Sequence, residues 1–122
     1  MDKLEEIFKI QKKFTEHFFK EKVGIEVDTI KDNKFEKIKW NKEYILALIV
    51  EATEILNEVD WKMHKSTNQT EDNNKILEES IDVMKFLFGL MIINGFSLNQ
   101  IYNKFKEKSD IVEKRFKKSN NE

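Results

Sequence analysis

The chain has 122 residues, a length that predicts one domain spanning residues 1–122. Its 22 basic and 23 acidic side chains give a net charge of −1, whereas a nucleic-acid-binding protein usually shows a basic excess. The longest apolar run, residues 86–93, is well short of the ~20 residues that a membrane span needs. The absence of cysteine fits a reducing compartment. These properties predict a cytoplasmic protein that binds neither nucleic acid nor a membrane.

The lack of proline and the presence of only 3 glycines favour long helices over a fold with many turns. Apolar residues at helical spacing predict a first helix from Asp2 to Lys22, which Gly24 ends. Asp2 and Glu5 are placed as a capping box at its start. Residues 25–40 mix polar and apolar side chains without a clear period, and we expect a connection there.

A second helix is predicted to begin at Asn41, as its N-cap, and to reach about residue 64 or 65. A polar loop over residues 66–74 follows. The third helix is predicted over residues 74–94, where Gly95 stops it.

The motif Ser97-Leu98-Asn99-Gln100 has the pattern of a capping box and predicts the start of a fourth helix. This helix is expected to reach about Lys117, with the last few residues frayed. Together these elements predict an all-α fold, an antiparallel bundle of four to five helices.

Two acidic pairs stand inside the most apolar stretches of the second and third helices. Glu51 and Glu54 are the only charged residues in 44–57, and at 3.6 residues per turn they lie about 60° apart on one face. Glu79 and Asp82 repeat this spacing in the third helix. A helix that is apolar nearly all round is expected to be buried, so folding alone does not explain these charges.

Four acids in apolar surroundings cannot all ionise without compensation, because desolvation and mutual repulsion raise their pKa values. Neither helix supplies a cation on the face of Glu51 and Glu54, but a divalent ion could bind between the helices. Carboxylate oxygens suit Mg²⁺, which recruits substrate phosphates, and Mn²⁺ is also compatible. We therefore predict a metal site formed by Glu51, Glu54, Glu79 and Asp82. The competing interpretation is solvent-facing acids on ordinary amphipathic helices; two equally spaced pairs on a helical hairpin argue against it.

Other metal chemistry fits less well. Di-iron carboxylate sites in helical bundles use Glu-x-x-His pairs, and neither His17 nor His64 has a glutamate three residues before it. Zinc is disfavoured because the acidic stripes contain no histidine and the chain has no cysteine. An all-oxygen cage indicates phosphate chemistry.

The spacing Glu-x-x-Glu, 24 intervening residues, then Glu-x-x-Asp resembles the all-α NTP pyrophosphatases, the superfamily of MazG and the dimeric dUTPases. Residues 4–11, 45–51 and 77–87 are similar to helices of the dimeric dUTPase branch in particular. The resemblance implies the same helical fold, a homodimer, and magnesium-dependent hydrolysis of dUTP to dUMP and pyrophosphate.

The resemblance also implies that a metal-activated water attacks the α-phosphate. Glu54 is the predicted base, with Glu51 as the alternative. Gln11 would read the uracil, although a surface glutamine is the alternative interpretation. Further predicted substrate contacts are Trp61, Lys62, Lys108 and Arg115. Trp61 could stack on the base, or could instead seal the end of the bundle. The other three are cations that would neutralise phosphate charge.

The chain departs from the dUTPase pattern at positions expected to contact the base. Ser109 and Val112 stand where the family has two asparagines, and Thr15 stands where Asn or Asp is frequent. These departures leave open a pyrophosphatase for another nucleotide, such as dCTP or a damaged nucleotide. A hypothesis of a different class is a non-catalytic helical protein that binds a partner and carries vestigial acids.

Overall fold

The computed structural model describes residues 1–59 and 72–120. Every regular element within these ranges is helical, which confirms the predicted all-α bundle. The elements in chain order are α1 (Lys3–Phe18), a π-helical turn (Phe19–Val23), a 3₁₀ helix (Val27–Asp32), α2 (Lys34–Leu56), α3 (Asn73–Ile93) and α4 (Leu98–Asn120).

The first helix begins and ends where local signals place it. The Asp2 carboxylate accepts a hydrogen bond from the Glu5 backbone N–H at 2.8 Å. Gly24, at φ +81°, ends the π-helical turn in a left-handed conformation that suits glycine. The turn carries Phe19, which is fully buried.

The predicted start of the second helix was wrong. Asn33 is the N-cap of α2 and accepts from the Glu36 N–H at 3.1 Å. Asn41 lies inside the helix, where its Nδ2 donates to the Lys37 carbonyl at 2.8 Å. The expected connection is also shorter than predicted, because the 3₁₀ helix and the first turns of α2 occupy most of residues 25–40.

The end of α2 also differs from the prediction. The helix ends at Leu56, and residues 57–59 form a turn and a bend rather than further helix. The rest of the predicted extension, together with residues 66–71 of the predicted loop, lies outside the described residues.

The last two helices follow their predicted signals closely. Asp72 caps α3 by accepting from the Lys75 N–H at 3.3 Å. At the start of α4, Ser97 Oγ accepts from the Gln100 N–H at 3.1 Å and Gln100 Oε1 accepts from the Ser97 N–H at 2.8 Å, a complete capping box. The helix continues to Asn120, three residues beyond its predicted end at about Lys117. Residues 118–120 are therefore helical and not frayed, contrary to the prediction.

No single helix in the described part of the chain is both long and apolar enough to cross a membrane. Only α3 and α4 taken together meet the length and composition test, and a bend of 110° separates them.

The core lies where α1, the 3₁₀ helix and α2 meet α3. Its buried apolar residues are Phe8, Phe19, Val27, Ile30, Ile92 and Ile93. The prediction that α2 is buried was wrong for the single chain, because this helix packs on one side only, against α3, the 3₁₀ helix and Phe19 of the π-helical turn. Its other side leaves Ile45, Leu46, Ile49 and Val50 between 45% and 55% exposed.

Candidate metal centre

The packing of α2 against α3 brings the two acidic pairs together. Residues three apart share a helix face, and the two faces meet along the α2–α3 contact. As a result, carboxylate oxygens of Glu51, Glu79 and Asp82 all lie within 4.8 Å of one another. Glu54 lies beside Glu79, close enough for a hydrogen bond between the two carboxyl groups. We call these four residues the acidic cluster.

The acidic cluster is less buried than its apolar sequence context predicts. Glu51, Glu54 and Glu79 are half-buried and Asp82 is exposed. The open side of α2 is the reason, because no described residue covers it. The expectation of full burial was therefore wrong for the single chain.

No cation among the described residues pairs with the acidic cluster to offset its electrostatic repulsion. Burial raises the pKa of Glu51, and the charges of Glu54 and Asp82 raise it further. Burial also raises the pKa of Glu79, followed by the charge and hydrogen bond of Glu54 and the charges of Asp82 and Glu51. Within residues 1–59 and 72–120, no lysine or arginine forms an ion pair with any of the four acids.

The donor set fits a hard divalent cation. Oxygens that bind one such ion at about 2.0–2.6 Å are at most about 4–5 Å apart, which is the span of the Glu51, Glu79 and Asp82 oxygens. All the donors are carboxylates. This ligand type suits Mg²⁺, Mn²⁺ and Ca²⁺ better than it suits zinc or copper. A cation here would also relieve the repulsion that raises the pKa values of Glu51 and Glu79.

A cavity of about 240 Å³ lies next to the acidic cluster and shares Asp82 with it. Its lining combines three aromatic rings with one amide, one carboxylate and one ammonium group: Gln11, Phe14, Tyr44, Asp82, Lys85 and Phe86. We call it the Gln11 cavity. Gln11 is only 7% exposed, so the interpretation as a surface glutamine was wrong. Lys85 Nζ donates to Gln11 Oε1 at 3.4 Å.

The Tyr44 ring forms a fixed wall of this cavity. It stacks near the buried Phe19 ring, with centroids 6.3 Å apart, and meets Phe86 edge-on at 6.1 Å. Burial raises the pKa of Tyr44 to about 12, so its phenol is neutral at physiological pH. Gly89 on α3 faces the ring directly, where a larger residue would collide with it.

Thr15, one of the departures from the dUTPase pattern, does not line the cavity. Its side chain is 1% exposed, and its Oγ1 donates to the Gln11 backbone carbonyl at 2.7 Å. The hydroxyl hydrogen is therefore committed to α1 itself. Thr15 therefore contacts the backbone of Gln11 and not the cavity.

The structure does not bring every predicted substrate residue to the acidic cluster. Lys108 and Arg115 are exposed on α4, and neither pairs with a cluster acid. Lys108, Ser109 and Val112 line a separate groove of about 1560 Å³ between α3 and α4. Trp61 and Lys62 lie outside the described residues. The roles of these residues stay predictions.

Sequence reasoning missed Phe14 and Lys85 as cavity residues. Lys85 follows Asp82 by three residues on α3, and Phe14 follows Gln11 by three residues on α1. This is the spacing that placed the acids in pairs. The same rule applied outward from Asp82 and Gln11 would have identified both residues.

The helical fold and the carboxylates gathered between two helices fit an all-α NTP pyrophosphatase of the dimeric dUTPase type. Comparison with known families supports this class, because the profile of the family described as dUTPase matches residues 3–120. The chain therefore belongs to the dUTPase family, a family of nucleotide diphosphatases, and is an enzyme. Neither a curated protein nor a solved structure matches it.

Proposed function

We propose that the chain hydrolyses dUTP to dUMP and pyrophosphate with bound Mg²⁺, which Mn²⁺ can replace. The observation that carries this proposal is the convergence of the Glu51, Glu79 and Asp82 oxygens within 4.8 Å, in a chain that the dUTPase profile matches almost throughout. Three carboxylates that pair with no cation among the described residues need a positive partner, and a metal–triphosphate complex supplies one.

Glu51, Glu79 and Asp82 are the residues that would hold the metal. When bound, Mg²⁺ polarises phosphate oxygens and lowers the pKa of a coordinated water. Glu54 is our proposed general base, because it lies beside Glu79 but outside the trio whose oxygens converge. Its carboxylate would accept the proton of the water that attacks the α-phosphorus. Glu51 is the alternative base.

The Gln11 cavity is our proposed site for the base of the nucleotide. Pockets for drug-sized ligands measure about 300–1,000 Å³, so a cavity of about 240 Å³ suits one ring rather than a whole nucleotide. Phe14, Tyr44 and Phe86 offer apolar surface to that ring. Asp82, shared by the cavity and the acidic cluster, sets the direction in which the sugar and phosphates extend.

The remaining substrate contacts that we propose come from the other residues that the sequence predicts. Lys62, Lys108 and Arg115 would neutralise phosphate charge, and Trp61 would stack on the base. Lys108 and Arg115 are exposed on α4 and pair with no acid of the cluster, so we propose that they reach the phosphates through a movement of α4 or from a second copy of the chain.

We also propose that the enzyme is a homodimer. The surface that lines the groove between α3 and α4 is mostly apolar, and Phe105 and Phe116 on α4 are 73% and 62% exposed. Apolar surface of this extent usually marks an interface. Sedimentation analysis should give twice the mass of 14.7 kDa, and Phe105→Glu should shift the enzyme to the monomer. A monomeric wild-type chain at micromolar concentration would contradict the proposal.

Pyrophosphate release, measured over a panel of deoxynucleoside triphosphates with Mg²⁺ or with EDTA, tests the proposed reaction. We expect turnover that requires the metal and is fastest with dUTP. Equal or faster turnover of dCTP or dATP would overturn the dUTP assignment, and undiminished turnover in EDTA would overturn the metal site.

A matched pair of variants separates the metal site from general surface charge. Removing a second-shell partner of a metal ligand commonly costs 10–100-fold in activity, so Glu79→Gln should cost more than about 100-fold. Glu78→Gln, one residue away and exposed, should retain wild-type activity. Equal losses in the two variants would contradict the assignment of Glu79.

A further inference from the structure

The contact between Lys85 and Gln11 fixes the orientation of a buried amide. Lys85 on α3 reaches across to α1, where its Nζ lies 3.4 Å from Gln11 Oε1. A lysine ammonium has only donors, so it attracts the carbonyl end of the amide and repels the NH₂ end. At 3.4 Å the hydrogen bond is long, but the charge still decides between the two orientations of the amide.

The charge of Lys85 is available for this task. Within the described residues Lys85 takes part in no ion pair, although Asp82 lies one turn before it on α3. Gln11 has no other side-chain hydrogen bond among those residues, so no second partner opposes the orientation that Lys85 imposes.

The fixed amide presents a defined pattern to the Gln11 cavity. Its Nε2 carries two donor hydrogens that no described residue accepts, and its Oε1 keeps one lone pair beyond the one that Lys85 uses. A ligand that pairs with this amide must offer an acceptor to Nε2 and a donor to Oε1, side by side.

Uracil and cytosine differ in that respect. Uracil offers the O4 acceptor beside the N3–H donor, which matches the amide as Lys85 holds it. Cytosine offers the 4-amino donor beside the N3 acceptor, which matches only the flipped amide. A flip would turn the NH₂ group of Gln11 toward the Lys85 ammonium, which the like polarity of the two groups disfavours.

We propose that Lys85 is a specificity-determining positioning residue, which selects uracil over cytosine by holding the Gln11 amide with its NH₂ group toward the cavity. This inference rests on the proposed function, because it assumes that the cavity receives the pyrimidine. Lys85 acts through Gln11 and need not touch the substrate.

The test compares the binding of two nucleotide analogues that resist hydrolysis, the α,β-imido forms of dUTP and dCTP, by titration calorimetry with Mg²⁺. Lys85→Met keeps the length of the side chain and removes its charge, so the amide is free to flip. We expect the preference for the uracil analogue to fall about tenfold, the value of roughly one mismatched hydrogen bond. Lys85→Arg, which also has only donors, should keep the preference.

Two further variants keep the test decisive. Lys75→Met removes an exposed lysine of the same helix and should leave the preference unchanged. Gln11→Glu replaces the amide donor by a second acceptor, which meets one donor and one acceptor on either base, and should abolish the preference. Thermal unfolding of each variant confirms that it is folded; Lys85 is exposed, so its replacement should not disturb the core.

The proposal is overturned if Lys85→Met weakens both analogues equally, the result expected if Lys85 binds phosphate instead. It is also overturned if Gln11→Glu keeps the wild-type preference, or if the wild-type protein binds neither analogue. Turnover of dUTP is measured separately, so an enzyme that hydrolyses dUTP while Lys85→Met keeps its selectivity refutes this inference alone.

Discussion

Replacing Gly89 by alanine at the wall of the Gln11 cavity should have two opposite effects on the free energy of unfolding, a gain in helix propensity and a collision with the Tyr44 ring. Gly89 lies inside α3, four residues before its end at Ile93, where alanine is favoured over glycine by about 1 kcal/mol through helix propensity. The added Cβ would, however, collide with the Tyr44 ring, and it would also lie 3.2 Å from Cδ1 of that ring. The ring cannot simply swing away, because it packs against both Phe19 and Phe86.

Overpacking of this kind costs about 1–3 kcal/mol. Subtracting the gain in propensity leaves Gly89→Ala less stable than wild type by about 0–2 kcal/mol. In a Tyr44→Leu background the collision disappears, and the same substitution should stabilise the protein by about 1 kcal/mol. Urea denaturation of the four proteins of this double-mutant cycle should therefore give a coupling energy of about 1–3 kcal/mol. Equal stabilisation by alanine in both backgrounds would refute the packing of Tyr44 on Gly89.

Activity provides the second measurement for Gly89→Ala. A displaced Tyr44 ring should lower kcat/KM for dUTP, because that ring forms a wall of the cavity proposed for the base. Gly24→Ala is the control: nothing lies within 4 Å of its Cβ position, but its φ of +81° should cost about 1–2 kcal/mol of strain. This control should lose stability and keep kcat/KM. A matching loss of kcat/KM in both variants would show that stability alone controls activity.

Three further predictions concern the acids and the caps. Burial and neighbouring charges raise the folded-state pKa of Glu51 and Glu79 above 4.5, so their protonation favours the metal-free fold at low pH, and that contribution is lost as pH rises through the raised values. In EDTA, the stability gained by Glu51→Gln should therefore grow as the pH rises above 4.5 through the raised pKa values, and a constant difference in urea denaturation would contradict this. Asn94→Ala removes the reciprocal amide hydrogen bonds with Asn41, at 2.8 and 3.1 Å, and should cost about 1–3 kcal/mol in the same assay; a loss below about 0.5 kcal/mol would contradict it. Asp2→Ala removes the N-cap of α1 and should cost about 1 kcal/mol, whereas unchanged urea denaturation would show that this cap does not stabilise the fold.

The helices that the sequence predicts well are those whose ends carry local signals. Asp2 and Ser97 cap α1 and α4 through hydrogen bonds within three residues, so a short window of sequence contains all the information. The start of α2 was missed because its first turns show no apolar stripe. They are held instead by the Asn33 cap and by Trp40, whose ring meets the buried Phe19 edge-on at 4.8 Å. That contact joins distant parts of the chain and leaves no local pattern.

The candidate site could likewise be predicted only where its residues lie close together in the sequence. The pairing of Glu51 with Glu54 and of Glu79 with Asp82 follows from helical spacing, and the hairpin-like packing of α2 on α3 then makes the pairs meet. The Gln11 cavity draws its lining from α1, α2 and α3, so no window of sequence contains it. The burial of α2 was overestimated because apolar residues on both sides of a helix do not reveal whether the same chain covers both.

We propose that water attacks the α-phosphorus of dUTP at the acidic cluster. The most direct measurement is hydrolysis of dUTP in ¹⁸O-labelled water with Mg²⁺, with the products analysed by mass spectrometry and ³¹P NMR. We expect dUMP and pyrophosphate, with the label in dUMP and almost no product from Glu79→Gln. Label in pyrophosphate, or products consisting of dUDP and inorganic phosphate, would contradict it.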